Sequence, residues 1–187
     1  MSRSAVDDEP ITVGERYASA TRSSNLLPKF LGVTDADVLL AAGMAAHGDE
    51  RLRLALTLWR MRVNSDSDGL WDVVANLDQW LLRFLARKGN RPMAKEARRA
   101  LLGDVLSWWL KPTCTYCEGR AFLVVPDTPR LSTVACEGCH GTGQRQLARC
   151  VPHAHVRHAR WLTSEMDRLA SVVHGRMAKL LSNRMDL

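Results

Sequence analysis

Hydrophobic residues recur every three or four positions along most of the chain, which is the period of an amphipathic α-helix. Residues 70–85 show this best, because seven apolar side chains fall on one helical face: Leu70, Val73, Val74, Leu77, Leu81, Phe84 and Leu85. Trp71 and Trp80 are expected to widen this face. Their helical spacing indicates packing in a hydrophobic core rather than a cofactor or base-stacking site.

Two helices are predicted before this one. The first follows Thr34-Asp35-Ala36-Asp37, which has the pattern of a capping box, and runs to Ala46 before His47-Gly48 stops it. The second covers residues 51–63. Its apolar residues alternate as in a strand, but Leu, Ala, Arg and Met favour helix, so a helix is predicted. Residues 1–28 are polar and are predicted to form a flexible arm.

A further helix is predicted to start at Asn90 and to run to Trp109, with Leu101, Val105 and Trp108 on a common stripe. The preceding helix ends at Gly89.

The C-terminal part is also predicted to be helical, because its apolar residues again repeat at three and four: Val156, Ala159, Leu162, Met166, Leu169, Val173, Met177 and Leu180. Ser164 and Asp167 have the spacing of a helix cap, so one continuous helix and a helix-turn-helix remain alternatives. Before this part, residues 121–125 and 131–135 are short β-prone runs. The proline-rich turn between them predicts a hairpin.

The overall composition is that of a globular protein, with 46% hydrophobic and 25% charged residues. Lysine and arginine exceed the acidic residues by 26 to 20, which gives a formal charge of +6. Such an excess favours a polyanionic partner, most simply nucleic acid, and a basic surface without one is the alternative. The N-terminal segment lacks the apolar stretch of a signal peptide, and no later run approaches the length of a membrane span. We therefore expect an intracellular, soluble protein without a membrane partner.

Four of the five cysteines form a two-knuckle motif: Cys114-Thr-Tyr-Cys117, eighteen intervening residues, and Cys136-Glu-Gly-Cys139. This spacing is typical of a tetrahedral site for one zinc ion, and four thiolate ligands leave no open position for catalysis. The zinc is therefore predicted to be structural. A redox-active pair and an iron–sulfur cluster are the alternatives. Cys150 is left over.

Histidines near this motif are not expected to bind the metal, because four cysteines already satisfy the ion. His140 is expected to face solvent or to support the ligands from outside. His153, His155 and His158 are interpreted as a cluster on a helix face, since no carboxylate lies at helical spacing. No nucleophile elbow, phosphate-binding loop, HExxH or paired-carboxylate motif occurs, so neither an enzyme nor a small-molecule substrate is expected.

Arginines on both sides of the cysteine motif are candidates for contacting DNA. Two precede it, Arg98 and Arg99, and five follow it: Arg145, Arg149, Arg157, Arg160 and Arg168. Charged residues on helices more often form a solvated surface, and it is the position of these groups beside the motif that favours binding.

Two segments resemble the lambda-type Q antitermination proteins of bacteriophages. One comprises both knuckles, Cys114-Thr-Tyr-Cys117-Glu-Gly-Arg-Ala and Cys136-Glu-Gly-Cys139-His-Gly-Thr-Gly143. The other is Gly32-Val-Thr-Asp-Ala-Asp-Val-Leu-Leu-Ala-Ala-Gly-Met-Ala-Ala46. DnaJ-type co-chaperones share the CxxCxGxG pattern, so it is the order and spacing of the two segments that make the likeness specific. It covers roughly residues 32–145, and Ala121 stands where a second glycine is expected.

The resemblance implies a regulator of phage late genes. Such a protein binds double-stranded DNA near the late promoter and joins the host RNA polymerase holoenzyme, including its sigma factor. It then makes the polymerase resistant to pausing and terminators, in the bacterial cytoplasm and associated with the nucleoid. A zinc-ribbon repressor and a DnaJ-type adaptor are the alternatives, although DnaJ-type ribbons usually carry four knuckles.

Taken together, the chain is predicted to be mainly α, a helical DNA-binding body with an inserted zinc-ribbon β-hairpin. Its predicted segments are a flexible arm (1–28), a helical body (29–111), the zinc ribbon (112–146) and a C-terminal helical segment that completes the body (147–187).

Overall fold

The computed structural model describes residues 12–22, 35–64, 67–88, 92–125, 128 and 130–185. The helices are α1 (Val13–Ala20), α2 (Asp35–Ala45), α3 (Glu50–Asn64), α4 (Leu70–Arg87), α5 (Lys95–Leu110), α6 (Leu147–Cys150) and α7 (Val156–Met185), with a 3-10 turn at His153–His155. Two antiparallel strands, β1 (Phe122–Val124) and β2 (Leu131–Ala135), form a small sheet between α5 and α6. A mainly helical chain with an inserted hairpin is thus confirmed.

The chain divides into two compact units, and the division differs from the predicted segments. Of the described residues, one unit comprises those up to 64 together with 168–185, and the other comprises those from 67 to 167. The division falls within α7, whose residues up to Asp167 belong to one unit and whose residues from Arg168 belong to the other.

In the first unit, α1 corrects the prediction of a flexible arm for residues 12–22, and the rest of the predicted arm (1–28) lies outside the described residues. Thr12 caps the helix by accepting the Glu15 backbone N–H, and the Glu15 carboxylate accepts the Thr12 N–H in return. Tyr17 is buried and packs edge-on against Trp59 of α3, with ring centroids 4.7 Å apart. The polar composition concealed a helix whose one aromatic side chain anchors it.

The second helix, α2, packs through small side chains, which let neighbouring helices approach closely: Ala41, Ala42, Ala45 and Ala46 are all buried. Gly48 lies in the left-handed region (φ 87°) just beyond its end, as the sequence predicts for a helix stop. The predicted cap at Thr34 falls outside the described residues. The predicted helix 51–63 is confirmed as α3.

In the second unit, α4 buries Val73, Leu77, Leu81 and Leu85, as its periodicity predicts. Trp71 is the exception, because 83% of its surface is exposed, so it does not widen the buried face. The residue opens α4 beside Asp72, which is also exposed.

The next helix, α5, begins at Lys95 and not at Asn90 as predicted. Its most deeply buried indole is that of Trp109, which is 1% exposed and donates to the Asp167 carboxylate at 2.8 Å. Trp108 is half-buried and donates instead to the backbone carbonyl of Arg145 at 2.6 Å.

The last helix resolves the alternative left open by the sequence, because α7 is continuous through Ser164 and Asp167. Residues 156–174 contain no glycine or proline, and the three-and-four spacing of apolar residues persists across them, so nothing ends the helix near Ser164. Its buried residues include Leu162, Met166 and Val173.

Candidate metal centre

The segment that carries the four cysteines is closed at its base by backbone pairing. Thr113 and Gln144 form an antiparallel bridge, and the Arg145 N–H donates to the Pro112 carbonyl at 2.7 Å. The bridge brings the end of α5 close to the start of α6. We call residues 112–145 the ribbon module.

The four cysteine sulfurs meet in the interior of the ribbon module. Cys114, Cys117, Cys136 and Cys139 are each at most 2% exposed, and their sulfurs all lie within 4.8 Å of one another. The sulfurs of Cys117 and Cys139 lie 3.7 Å apart, and those of Cys114 and Cys136 lie 4.0 Å apart. Such a group can hold a metal ion, and among the described residues it is the one group of three or more potential ligands placed to do so.

The two knuckles have the same backbone conformation. After Cys117, positive φ angles occur at Glu118 (50°), Gly119 (87°) and Ala121 (67°). After Cys139, they occur at the equivalent residues, His140 (53°), Gly141 (78°) and Gly143 (72°). Left-handed residues turn the chain back on itself, so that backbone N–H groups point at the sulfurs.

This arrangement acts on the thiols. Burial raises the pKa of Cys139, but N–H donation from Gly143, at 3.2 Å from the sulfur, hydrogen bonds with the Cys117 and Cys136 thiols and N–H donation from Gly141 together lower it to about 6. Burial raises the pKa of Cys117 to about 11, aided by its hydrogen bond with Cys139. The backbone amides thus favour a thiolate at Cys139, which is the form that binds metals.

The ribbon module has almost no hydrophobic core of its own. Among its described residues, only the four cysteines and Gly143 are buried. Large apolar side chains of the hairpin are exposed instead: Phe122, Leu123, Val124, Leu131 and Val134. The cysteine cluster is therefore the main feature that can hold the module together.

The predicted DNA-contacting arginines fall into different surroundings. Arg98 is engaged within the fold, because its guanidinium holds the Asp78 carboxylate at 2.7 and 3.2 Å and the Met93 carbonyl at 2.8 Å. Its side chain is 12% exposed, so it is poorly placed to contact phosphates. Four of the other arginines are exposed residues on helices: Arg99 on α5, Arg157 and Arg160 on the first part of α7, and Arg168 in the other compact unit.

Of the remaining two arginines, Arg145 is the last residue of the ribbon module and Arg149 follows it in α6. Arg149 donates to the His140 ring nitrogen Nε2 at 2.7 Å, which places His140 on the surface and outside the cysteine cluster. Both arginines line a cavity together with Tyr116. Sequence reasoning missed Tyr116, because a residue between two ligands carries no signal of its own in the spacing.

The histidines of the C-terminal part do not form a metal site with other ligands in the described structure. The rings of His155 and His158 lie 6.0 Å apart, and each has a buried Nδ1 without a hydrogen-bond partner. Phe84 packs edge-on against His158 and stacks on Trp161, with centroids 6.1 and 4.2 Å away. Burial, aided by the nearby His155 and Arg157, lowers the pKa of His158.

No protein-family model matches the chain, and no curated protein or solved structure matches it either. The family resemblance therefore rests on the residues quoted for it. Within the described part of the chain, none of the helices combines the length and the apolar character needed to cross a bilayer.

Proposed function

We propose that the cysteine cluster binds one structural zinc ion. A regular tetrahedron with Zn–S bonds of about 2.3 Å places its sulfurs about 3.8 Å apart. Two of the sulfur–sulfur distances, 3.7 and 4.0 Å, agree with that value. An iron–sulfur cluster would place several irons and sulfides between the cysteines, for which sulfurs within 4.8 Å leave too little room. Four cysteines close the coordination shell, so the ion would supply shape rather than catalysis.

We propose further that the protein is a transcription antiterminator of phage late genes, which binds DNA and the host RNA polymerase. The observation that carries this proposal is the two-knuckle ribbon with its repeated Cys-x-x-Cys-x-Gly turns, inserted between helices of a basic chain. The Asp35–Ala45 helix coincides with the second segment that resembles the lambda-type proteins. Such a protein acts by contacts alone, and no catalytic group is required.

The exposed arginines of α5 and α7 supply the duplex-binding charge in this proposal. Arg99, Arg157, Arg160 and Arg168 stand on helix surfaces, where a guanidinium can reach the phosphates of a duplex. Arg98 is left out, because its fork already holds Asp78. Removing one arginine that binds a phosphate should weaken duplex binding and reduce its salt dependence, with a slope change of about 0.9.

In vitro transcription through a terminator downstream of the cognate promoter tests the proposal. Adding the zinc-loaded protein should increase readthrough, and replacing Arg157 and Arg160 with Gln should remove most of that increase. Arg53→Gln on α3 is the matched control, since Arg53 is also an exposed helical arginine, and it should act like the wild type. Unchanged readthrough with the wild-type protein would refute antitermination. A drop in initiation would instead favour a zinc-ribbon repressor.

A further inference from the structure

A cavity of about 500 Å³ lies beside the cysteine cluster, and most of the residues that line it are not cysteines. Only two of the four cysteines, Cys114 and Cys136, reach it. Other lining side chains come from the first knuckle, β1, the last residue of the ribbon module and the segment after it: Tyr116, Leu123, Arg145, Gln146 and Arg149. The volume falls within the range of about 300–1,000 Å³ that is common for small-ligand sites.

Tyr116 presents an aromatic ring to this cavity. The residue is 77% exposed, which is unusual for an aromatic side chain that has a fixed support. That support is Gly138, where an added β-carbon would lie only 2.5 Å from Cδ2 of the tyrosine ring. The glycine therefore lets the ring rest on the backbone of the second knuckle. An exposed ring held in this way is suited to stacking against a planar ligand such as a nucleobase.

Arg145 and Arg149 bring positive charge to the same cavity. Arg149 contacts the His140 ring, and Arg145 makes long contacts of 3.4 Å with the Lys111 carbonyl and the Cys150 sulfur. In the described structure neither guanidinium has a carboxylate within ion-pair distance. The one carboxylate in the lining is that of Glu137. A guanidinium has five N–H donors, so those of Arg145 and Arg149 that are not used in these contacts can bind a phosphate.

We propose that this cavity binds a nucleotide, with the base on Tyr116 and the phosphate on Arg145 and Arg149. The base must be unpaired, because a paired base in a duplex has no free face for the ring. The nucleotide can belong to a single strand of nucleic acid or can be a free mononucleotide, and the two share this chemistry. The site is separate from the helical arginines of the proposed duplex contact, so it does not depend on the antitermination proposal.

Fluorescence anisotropy tests the proposal on the full-length, zinc-loaded protein. The probe is a labelled oligothymidylate of about ten nucleotides, which is within the range covered by single-strand binding modules. Tyr116→Ala should weaken its binding by about tenfold, since stacking on one aromatic residue is worth about 1–3 kcal/mol per base. Trp71→Ala, which removes a ring of similar exposure outside the cavity, should leave binding unchanged. Equal affinity of Tyr116→Ala and the wild type would overturn the proposal.

A second variant tests the geometry without removing the ring. In Gly138→Ala the new methyl group must displace Tyr116, so binding should fall about as much as in Tyr116→Ala. Zinc content should stay at one equivalent in both variants, which separates loss of the site from loss of the fold. If Gly138→Ala displaces Tyr116 and still binds the oligothymidylate as tightly as the wild type, Tyr116 does not stack on a base.

The same assay tests whether the arginines bind a phosphate and whether the ligand is a nucleic-acid strand or a free nucleotide. Arg149→Gln should lower the slope of log affinity against log salt by about 0.7, the value for one single-strand phosphate, whereas Arg53→Gln should not change it. Displacement of the probe by thymidine monophosphate at equal concentration assigns the cavity to a free nucleotide, and displacement by unlabelled strand alone assigns it to a strand. If Tyr116→Ala weakens duplex and single-strand binding equally, Tyr116 does not contact an unpaired base and the proposal fails. Terminator readthrough is measured separately, so either proposal can fail alone.

Discussion

Ala121 and Gly143 are equivalent residues in the two knuckles, and each connects its knuckle to the other. The Ala121 carbonyl accepts the Cys136 N–H at 2.9 Å, and the Gly143 carbonyl accepts the Cys114 N–H at 2.9 Å. Both residues have a positive φ, 67° and 72°. Only one of them is a glycine, so at this pair of equivalent positions only the first knuckle carries the strain of a left-handed non-glycine residue.

The first prediction is that Ala121→Gly stabilises the ribbon module. A left-handed conformation costs a non-glycine residue about 1–2 kcal/mol, and the greater freedom of glycine in the unfolded chain offsets about 0.5–1 kcal/mol of the gain. A net increase of about 0.5–1 kcal/mol in the free energy of unfolding is expected. It should appear as a higher denaturant midpoint for the release of zinc to a colorimetric chelator.

Two other substitutions serve as controls for this prediction. Ala135→Gly lies in β2, where no positive φ is needed, and it should lower the midpoint. Gly143→Ala should destabilise the module strongly, because the new β-carbon would lie 2.5 Å from the Gly119 carbonyl oxygen in addition to the positive φ. A midpoint that falls for Ala121→Gly as it does for Ala135→Gly would show that Ala121 is not strained.

The second prediction is that Cys136→Ala unfolds the ribbon module and releases its metal. The module buries little besides its cysteines, so metal binding and folding should be one event. Bound zinc, measured by mass spectrometry after gel filtration, should fall from one equivalent to none. Cys150→Ala is the matched control and should keep the full equivalent, because Cys150 lies outside the cluster. Retention of one equivalent by Cys136→Ala would refute the ligand assignment.

The third prediction concerns the ion pair between α4 and α5. The Asp78 side-chain hydrogen bonds raise the pKa of Arg98, which shows that the pair favours the charged guanidinium. Asp78→Ala leaves a half-buried guanidinium without its carboxylate and should lower the free energy of unfolding by about 1–3 kcal/mol in urea titrations. Asp104→Ala on α5 should change it by less than about 0.5 kcal/mol. If Asp78→Ala and Asp104→Ala lower the free energy of unfolding equally, the Asp78–Arg98 ion pair does not stabilise the fold.

The fourth prediction is that acid destabilises the packing of His158. Burial lowers the pKa of this histidine from its ordinary value of 6.5, so the unfolded chain binds the proton more readily than the folded chain. The part of the folding stability that requires a neutral His158 is fully present above pH 6.5. It is lost as the pH falls through the lower pKa of the folded chain. His158→Phe should reduce the slope of stability against pH between the folded-state pKa of His158 and pH 6.5, measured by thermal unfolding. His153→Phe, at an exposed position, should leave the slope unchanged; an unaltered slope in His158→Phe would exclude the mechanism.

Several features could be predicted from the sequence because they depend on neighbours along the chain. The Cys-x-x-Cys spacing brings two sulfurs of each knuckle together whatever the rest of the fold does. The apolar periodicity predicts the helical faces of α4 and α7, because a helix repeats every 3.6 residues, whereas the helix α3 was predicted from the helix propensity of its residues. The turn between two β-prone runs predicts the hairpin, because a hairpin also joins neighbouring segments of the chain. Element ends were predicted less accurately, and α5 starts five residues later than predicted.

The remaining features required the tertiary structure, because they join residues that are distant in sequence. Only the packing shows that Arg98 holds Asp78, 20 residues away, and is therefore removed from the set of exposed arginines. The same holds for Trp109, which meets Asp167 across 58 residues while Trp71 stays in solvent.

The sequence by itself determined the four clustered cysteines and the helical, basic character of the chain, since spacing, periodicity and charge are local properties. The fold decided that both knuckles turn alike, with Ala121 strained where Gly143 is not. It also decided that Tyr116 and Arg149 share one cavity, because side chains 33 positions apart meet only when the ribbon module closes at its base.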